Sequence, residues 1–299
     1  MRGLVLGLCV SGAPAARLSC GVARRAGAAE LAASARQFAR EEAHRMIVTL
    51  LTDFGTADYF VAAMKGVVLG RAPGARLVDV THEVPPQDVA AAAFTLLAVY
   101  RDFPQGTVHV AVVDPGVGSA RRALVASAGG QHFVGPDNGV FSHVLEREPG
   151  ARVWQLDDDR HFRHPVSRTF HGRDVFAPVA AALAAGAAPE SLGSEITDPV
   201  RLEPIAPRRD PDGTVRGAVL HVDRFGNCVT TLTPGDLPAG AADALRLTVG
   251  GREVRALRSH YAGAEPGEPF AIAGSAGFLE VSVDGASAAE RLGVRRGDP

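Results

Sequence analysis

Three side chains suited to acid–base chemistry or charge stabilisation stand in two glycine-containing segments. Asp114 and Arg121 belong to VDPGVGSARR at 113–122, and His171 belongs to TFHGRDVFAP at 169–178. A carboxylate and an imidazole held together can orient a water molecule and accept its proton. Asp114 and Arg121 can equally form a charge pair across a tight turn, because Asp-Pro-Gly is a common turn sequence. Because the chain holds ten histidines, His171 gains weight only if it converges with another chemical group.

Two better-known motifs are incomplete in this sequence. The segment 113–122 lacks the Walker G-x-x-x-x-G-K-[ST] pattern, and Arg121 stands where G-x-G-x-x-G requires its last glycine. TDFG at 52–55 has no accompanying H-R-D catalytic loop, V-A-I-K strand or glycine-rich phosphate loop, which excludes a protein kinase. Asp53 within TDFG therefore has two interpretations. It caps the following helix, or its carboxylate accepts a pair of ligand hydroxyls.

Polar residues also cluster at two turns in the last third of the chain. VDRFGNCVTTL places Asp223, Phe225 and Asn227 around a glycine, as in a β-turn or bulge. GSAGFLEVSVDG contains Ser275 and is typical of a turn, a strand and a second turn. By themselves these segments predict structure rather than chemistry.

The segments that must position these residues alternate between strand and helix from Met46 onward. MIVTLLTDFG, ARLVDVTH and TVHVAVVDPG are apolar runs that end in polar or turn residues, as buried parallel strands do. Between them, DYFVAAMKGVVLG and DVAAAAFTLLAVYRDF have helical spacing, with Asp88 as N-cap of the second. We therefore predict an α/β domain over 46–205 with a mostly parallel sheet. Asp53 and Asp114 follow the carboxyl ends of strands, where ligands bind in such folds.

The pattern changes after about residue 206. The stretch 206–213 is rich in Pro, Arg and Asp, and short alternating runs such as GAVLHVD, PFAIAG and FLEVSV follow it. Runs of this kind predict strands. We therefore predict a linker at 206–213 and an all-β, barrel-like domain over 214–299.

Composition restricts the partners. The 299 residues carry a formal net charge of −2, so we expect no basic field for nucleic acid or an anionic membrane. Three scattered cysteines form neither a disulfide framework nor a zinc pattern and fit a reducing cytoplasm. Residues 1–45 include LVLGLCV before SGAPAA, which has the form of a signal peptide and is too short to span a bilayer. We prefer the interpretation that Met46 opens the protein and that 1–45 is an extension outside the fold.

Seven motifs, taken in sequence order, resemble the S-adenosylmethionine (SAM) hydroxide adenosyltransferase family. They are TDFG, THEVPPQDV, VDPGVG with the following RR, FVGPDNGVF, FHGRDVFAP, VDRFGN and GSAGFLEV. The resemblance covers about residues 46–296. It implies an α/β domain joined to a C-terminal β-barrel, in a homotrimer with active sites between neighbouring subunits. It also implies hydrolysis of SAM to adenosine and methionine through attack of water on ribose C5′, with no cofactor and no metal.

The resemblance assigns a role to each candidate residue. Three of them, Asp114, Arg121 and His171, match the family's water-activating set. Five others match its substrate contacts: Asp53 to the ribose diol, Asp223 to the methionine ammonium, Phe225 and Asn227 to adenine, and Ser275 to the methionine carboxylate. The sequence departs from the family at Gly274 and Asp284, where members often carry Asn.

The related fluorinase and chlorinase attack the same carbon with halide, and Asp114 separates this chain from them. Those halogenases resemble it elsewhere but carry a neutral Tyr at the position of Asp114 and an aromatic at that of Gln87. A carboxylate repels a halide by about 4 kcal/mol at roughly 4 Å and an effective dielectric of roughly 20. The sequence therefore favours hydrolysis. A SAM- or nucleoside-binding sensor without turnover is the alternative from another class, since a fold does not fix a function.

Overall fold

The computed structural model describes residues 46–237 and 246–299, and the predicted extension at 1–45 lies outside these residues. The α-helices are α1 (Phe60–Arg71), α2 (Val89–Val99), α3 (Ser142–Arg147), α4 (Ala177–Ala184) and α5 (Ala288–Leu292). Short 3-10 turns are Tyr100–Asp102, Asp159–His161, Pro189–Ser191, Pro234–Asp236 and Tyr261–Gly263. Within the described residues, no helix is long and apolar enough to cross a membrane.

The strands form two main sheets. The first contains β1 (Ile47–Thr52), β2 (Arg76–Thr81), β3 (Val108–Val112), β4 (Ala123–Ala128), β5 (Gln131–Pro136), β6 (Arg152–Gln155) and β7 (Ser194–Ile196). The remaining strands are β8 (Arg208–Arg209), β9 (Val215–Arg216), β10 (Val219–Val222), β11 (Cys228–Thr230), β12 (Leu247–Val249), β13 (Arg252–Val254), β14 (Ala256–Arg258), β15 (Pro269–Ala273) and β16 (Leu279–Val283).

The first sheet has the order β2-β1-β3-β5-β4-β6-β7. β1 pairs in parallel with β2 and β3, and β3 pairs in parallel with β5. β4 is antiparallel to both β5 and β6, and β7 is antiparallel to β6. β6 therefore runs in the direction of β5, so that five of the seven strands point the same way. The predicted mostly parallel sheet is confirmed.

Apolar side chains of β1 alternate between the two faces of this sheet. Val48 and Leu50 pack in a core with Met64 of α1 and with α4, whereas Leu51 packs in a second core with Phe94 of α2 and with α3. This alternation follows from the two-residue period of a strand. Helices cover both faces of the sheet, but the carboxyl ends of β1 and β3 stay uncovered. Polar residues lie at these strand ends.

The carboxyl-terminal region is rich in strands, as predicted. Its five-stranded sheet has the order β10-β11-β16-β15-β14, and two hairpins, β8-β9 and β12-β13, accompany it. β14 is parallel to β15, and the other three pairs are antiparallel. In this order β10 and β14 each have one hydrogen-bonded neighbour in the sheet. Barrel-like closure and the domain boundaries at 206–213 stay predictions.

Phe94 connects the two sheets through one apolar core. Its ring stacks on His221 of β10 at a centroid distance of 5.1 Å and lies 6.1 Å from the ring of Phe278. Arg147 lies over the ring of Phe278, with its guanidinium carbon 5.7 Å from the ring centroid. Val229 belongs to the same core. The α/β region and the strand-rich region are therefore packed against each other within one chain.

We expect Phe94→Ala to lower the free energy of unfolding by about 3 to 5 kcal/mol, because it removes a buried ring and leaves a cavity between the two sheets. Urea unfolding followed by circular dichroism measures this change. Leu69→Ala on α1 is the control, since Leu69 is 43% exposed whereas Phe94 is 4% exposed. Equal, small losses in the two variants would contradict this account of the core.

Candidate active site

Asp114 and Arg121 form a buried ion pair across one loop. Asp114 follows β3 by two residues, and Arg121 precedes β4 by two residues. Arg121 Nε donates to both carboxylate oxygens of Asp114, at 2.9 and 3.1 Å, and its Nη2 donates to Oδ2. The Asp114 side chain is 5% exposed and that of Arg121 is 10% exposed, so solvent screens their attraction weakly. The loop therefore presents a fixed carboxylate at the carboxyl end of a central strand.

His171 joins this pair from the segment that precedes α4. Its Nδ1 lies 2.8 Å from Arg121 Nη2. A guanidinium only donates, so Nδ1 accepts this hydrogen bond and the neutral ring carries its proton on Nε2. Burial lowers the pKa of His171 below its usual 6.5, and the charge of Arg121 lowers it further, whereas Asp114 and Asp174 oppose the shift. The site therefore favours the neutral imidazole at neutral pH.

A π-helix at Gly172–Phe176 has His171 as its N-cap residue. Asp174 in this turn is fully buried. Burial would raise the pKa of Asp174, but hydrogen bonds that include those from Arg173 and Arg163 bring it to about 2. Single-turn π-helices are frequent at functional sites. Here the buried carboxylate fixes the backbone just beyond the imidazole.

Asp114 and His171 line a cavity of about 410 Å³ together with Asp53 and Gln87. Arg121 contacts the first two without lining the cavity itself. Asp53 Oδ2 accepts the backbone N–H of Gln87 at 2.8 Å. Gln87 has a φ of 64°, a left-handed conformation that non-glycine residues seldom adopt unless their surroundings enforce it. The structure thus brings the predicted ribose carboxylate to the same cavity as the predicted water-activating residues.

The other four predicted residues, Asp223, Phe225, Asn227 and Ser275, line a second cavity of about 860 Å³. Asp223 Oδ1 accepts the backbone N–H groups of Phe225 and Asn227 at 2.9 and 2.8 Å, and its Oδ2 accepts Asn227 Nδ2 at 2.8 Å. Asp223 therefore shapes its own loop. Phe225 is 78% exposed. The two cavities have no lining residue in common, so the eight predicted residues fall into two separate groups.

Glu280 also lines the second cavity and was not among the residues predicted from the sequence. Tyr261 donates its hydroxyl to Glu280 Oε2 at 3.3 Å. A Cβ on Gly274 would lie 1.9 Å from Glu280 Oε1, so the glycine leaves room for this carboxylate. Burial raises the pKa of Glu280, the hydrogen bond from Tyr261 opposes this rise, and the charge of Asp223 adds to it. The available signal is an acid inside the apolar strand FLEVSV.

Within residues 46–237 and 246–299, no three His, Cys, Asp or Glu side chains are grouped so that they could hold a metal ion. Cys228 is buried, and burial raises the pKa of its thiol to about 11. At neutral pH this thiol is therefore protonated and is a poor nucleophile. Cys228 is therefore not a candidate nucleophile, and Asp114 and His171 stay the candidate acid–base groups.

A carboxylate, a guanidinium and an imidazole at the carboxyl end of a parallel strand define the class of an α/β enzyme that activates a small nucleophile. Family models identify the class more narrowly. The SAM hydroxide adenosyltransferase N-terminal domain matches residues 48–193, and the corresponding C-terminal domain matches residues 217–299. The chain belongs to the SAM hydroxide adenosyltransferase family. The resemblance drawn from the seven motifs is thereby confirmed.

Individual relatives agree with this assignment. The (R)-S-adenosyl-L-methionine hydrolase of Thermus thermophilus is 44% identical over 260 residues, which cover 84% of this chain and 97% of that protein. A fluorinase of Actinoplanes sp. is 26% identical over 283 residues, which cover 84% of this chain and 95% of that enzyme. The crystal structure of an uncharacterized conserved protein from Thermotoga maritima has a TM-score of 0.78 and 36% identity, and the match covers 85% of this chain and 98% of that one.

We expect the His171 imidazole to titrate below its usual 6.5, because burial and the neighbouring Arg121 disfavour the imidazolium. In Asp114→Asn the pKa of His171 falls further, since a carboxylate that favours the charged ring is lost while the guanidinium stays. Nuclear magnetic resonance of the ring carbons over a pH series measures both values. Asp198→Asn, which removes a 76% exposed carboxylate paired with Arg122, is the control and leaves the titration unchanged. An upward shift in Asp114→Asn would contradict this electrostatic description.

Proposed function

We propose that this protein hydrolyses SAM to adenosine and methionine, with water attacking ribose C5′ in line with the sulfonium sulfur. The observation that carries the proposal is the Asp114–Arg121–His171 group, in which one arginine joins a carboxylate and an imidazole at a single cavity. The name of the 44% identical relative from Thermus thermophilus, a SAM hydrolase, supports the same reaction.

The chemistry requires little beyond a well-placed nucleophile. The sulfonium leaves as a neutral thioether, so no group has to protonate it, and catalysis rests on positioning an oxygen in line with C5′ and sulfur. As the C5′–O bond forms and the C5′–S bond breaks, the attacking water loses a proton to a general base. Exclusion of water by the bound substrate strengthens the attraction between the developing anion and the sulfonium. No metal and no cofactor enter this scheme.

The tautomer of His171 supports different roles for His171 and Asp114. Because Nδ1 accepts from Arg121, the neutral ring has a hydrogen only on Nε2. His171 then orients the water by donating to its oxygen, and Asp114 accepts the proton. Arg121 donates to both groups and keeps them in register. This assignment makes His171 a donor to the nucleophile rather than its base.

The remaining residues provide the substrate contacts that the family resemblance implies. Asp53 accepts hydrogen bonds from the ribose hydroxyls beside the reacting carbon. In the second cavity, Asp223 receives the methionine ammonium, Ser275 contacts the methionine carboxylate, and Phe225 and Asn227 contact adenine. The exposure of the Phe225 ring is consistent with a surface that a ligand or a second subunit covers.

The two cavities support active sites shared between subunits, and the family resemblance makes the proposed assembly a homotrimer. One SAM molecule must contact both groups of residues, yet within a single chain they line cavities with no common residue. In the proposed trimer, the first cavity of one subunit faces the second cavity of its neighbour. Barrel-like closure of the strand-rich region and a cytoplasmic location belong to the same proposal.

The purified protein is expected to convert SAM to adenosine and methionine in the presence of a chelator. In ¹⁸O-labelled water, mass spectrometry should find the label on the adenosine 5′-hydroxyl. Asp114→Ala and His171→Ala each slow the chemical step by about 10²- to 10⁴-fold, the range for losing a positioned acid–base group, while SAM affinity changes little. Asp198→Asn serves as a matched surface control.

Three results would overturn this proposal. A chlorinated nucleoside formed by the parent protein at high chloride would indicate a halogenase. Tight SAM binding without products would indicate a sensor. Full hydrolysis by Asp114→Ala would remove the carboxylate from the mechanism.

Subunit complementation tests the shared site. Asp114→Ala and Asn227→Ala are each expected to be impaired alone, because each damages a different group of residues. When the two variants are co-expressed, about a quarter of the interfaces in a cyclic trimer combine two intact halves, so activity returns to about that fraction of the parent. Co-expression of the doubly substituted Asp114→Ala/Asn227→Ala chain with the parent chain checks the geometry: a shared site again leaves about a quarter of the parent activity, whereas a site within one chain leaves about a half. Native mass spectrometry confirms that mixed trimers have formed. If such trimers recover no activity, the site is not shared between subunits.

A further inference from the structure

The loop that carries Asp114 and Arg121 is rich in glycine and is held in place by contacts from other segments. Gly118 within it has a φ of 75°, and a Cβ there would lie 2.1 Å from the Arg168 carbonyl oxygen. Glycine gives a loop many accessible conformations. The ion pair joins the carboxylate and the guanidinium directly, and contacts at the two ends of the loop fix the backbone that bears them.

Asn138 holds the first end. Its Nδ2 donates to the carbonyl oxygen of Val113, the residue before Asp114, at 2.8 Å. Its Oδ1 accepts the backbone N–H of Val140 at 3.2 Å, which fixes the amide orientation. The side chain thus joins the turn after β5 to the backbone that bears the catalytic carboxylate.

Asp137 holds the second end. Its backbone N–H donates to the carbonyl oxygen of Arg122 at 3.0 Å, and the same oxygen accepts Arg121 Nη1 at 3.2 Å. The Asp137 carboxylate accepts Arg122 Nε at 2.7 Å through Oδ2 and the backbone N–H of Val200 at 2.8 Å through Oδ1. Asp137 is 6% exposed, so these bonds are shielded from water.

From these contacts we infer that the Asp137–Asn138 turn is a positioning device: it fixes the backbone on both sides of the Asp114–Arg121 pair and thereby the place of the Asp114 carboxylate at the first cavity. Asp137 and Asn138 are joined by one planar peptide, and each forms a hydrogen bond to the backbone at a different end of the catalytic loop. Neither lines the first or the second cavity, so they act on the reaction through the loop and not through the substrate. This inference rests on the proposed function. It gives a role to the PDNG segment at 136–139, which contains none of the eight candidate residues.

Asn138→Asp isolates one of these contacts. The carboxylate still accepts from Val140 but places an oxygen against the Val113 carbonyl where the amide donated a hydrogen. We expect the single-turnover rate at saturating SAM to fall about 10- to 100-fold, the scale for a small misplacement of a reacting group, with the dissociation constant for SAM nearly unchanged. Asp137→Asn, which removes the charge paired with Arg122, provides a second variant with the same expected direction.

Thr107→Ala is the matched control. Thr107 is 1% exposed and donates its hydroxyl to the Pro104 carbonyl oxygen at 2.7 Å. It directly precedes β3, at the end of the strand opposite to Asp114. We expect a similar loss of thermal stability in this variant and a parental single-turnover rate, which separates positioning from general destabilisation.

The parent protein is assayed first, because an inactive parent would contradict the proposed function itself. With an active parent, the positioning inference is overturned if folded Asn138→Asp and Asp137→Asn both keep the parental rate. It is also overturned if Thr107→Ala loses rate to the same degree, or if the loss appears in SAM affinity instead of the chemical step. If Asn138→Asp does not fold, Asp137→Asn alone decides by the same criteria.

Discussion

The contact between the Arg121 guanidinium and the Asp114 carboxylate is the constraint on which the rest of the candidate site depends. A buried carboxylate without a partner would be strongly destabilising. The planar guanidinium satisfies both carboxylate oxygens and still has a hydrogen for His171 Nδ1. It also lies over the ring of Phe176, 5.2 Å from the centroid. One side chain thus couples the end of β3, the glycine-rich loop and the π-helix, and a lysine could not make all of these contacts.

Much of the fold was predictable from local pattern. The apolar runs ending at Thr52 and Val112 are β1 and β3, and Asp88 caps α2 as expected, with its carboxylate accepting the Ala91 N–H at 3.0 Å. These features depend on short-range periodicity and capping, which the sequence displays directly. The antiparallel insertion of β4 between β5 and β6 was not predicted, because strand order and direction depend on contacts between distant segments.

The candidate site was predicted as a set of residues but not as an arrangement. His171 meets Arg121 across 50 positions of sequence, and no local pattern specifies such a contact. The left-handed φ of Gln87 could not be predicted from the sequence either, because glutamine has no preference for a positive φ. Glu280 was missed because an acid in a strand is usually solvated, and only the missing Cβ of Gly274 shows why this one turns toward the cavity. The family resemblance named the residues, and the fold distributes them over two cavities.

The charge of the second cavity distinguishes the substrate of the proposed reaction from its products. Asp223, Glu280 and Asp284 line it, and no Lys, Arg or His stands among its lining residues in the described part of the chain. SAM carries a sulfonium, an ammonium and one carboxylate, so it has a net charge of about +1, whereas methionine is a zwitterion and adenosine is neutral. A negative cavity therefore attracts the substrate more strongly than either product. Hydrolysis removes the sulfonium charge, so in the proposed reaction these carboxylates attract the products less strongly than they attract SAM.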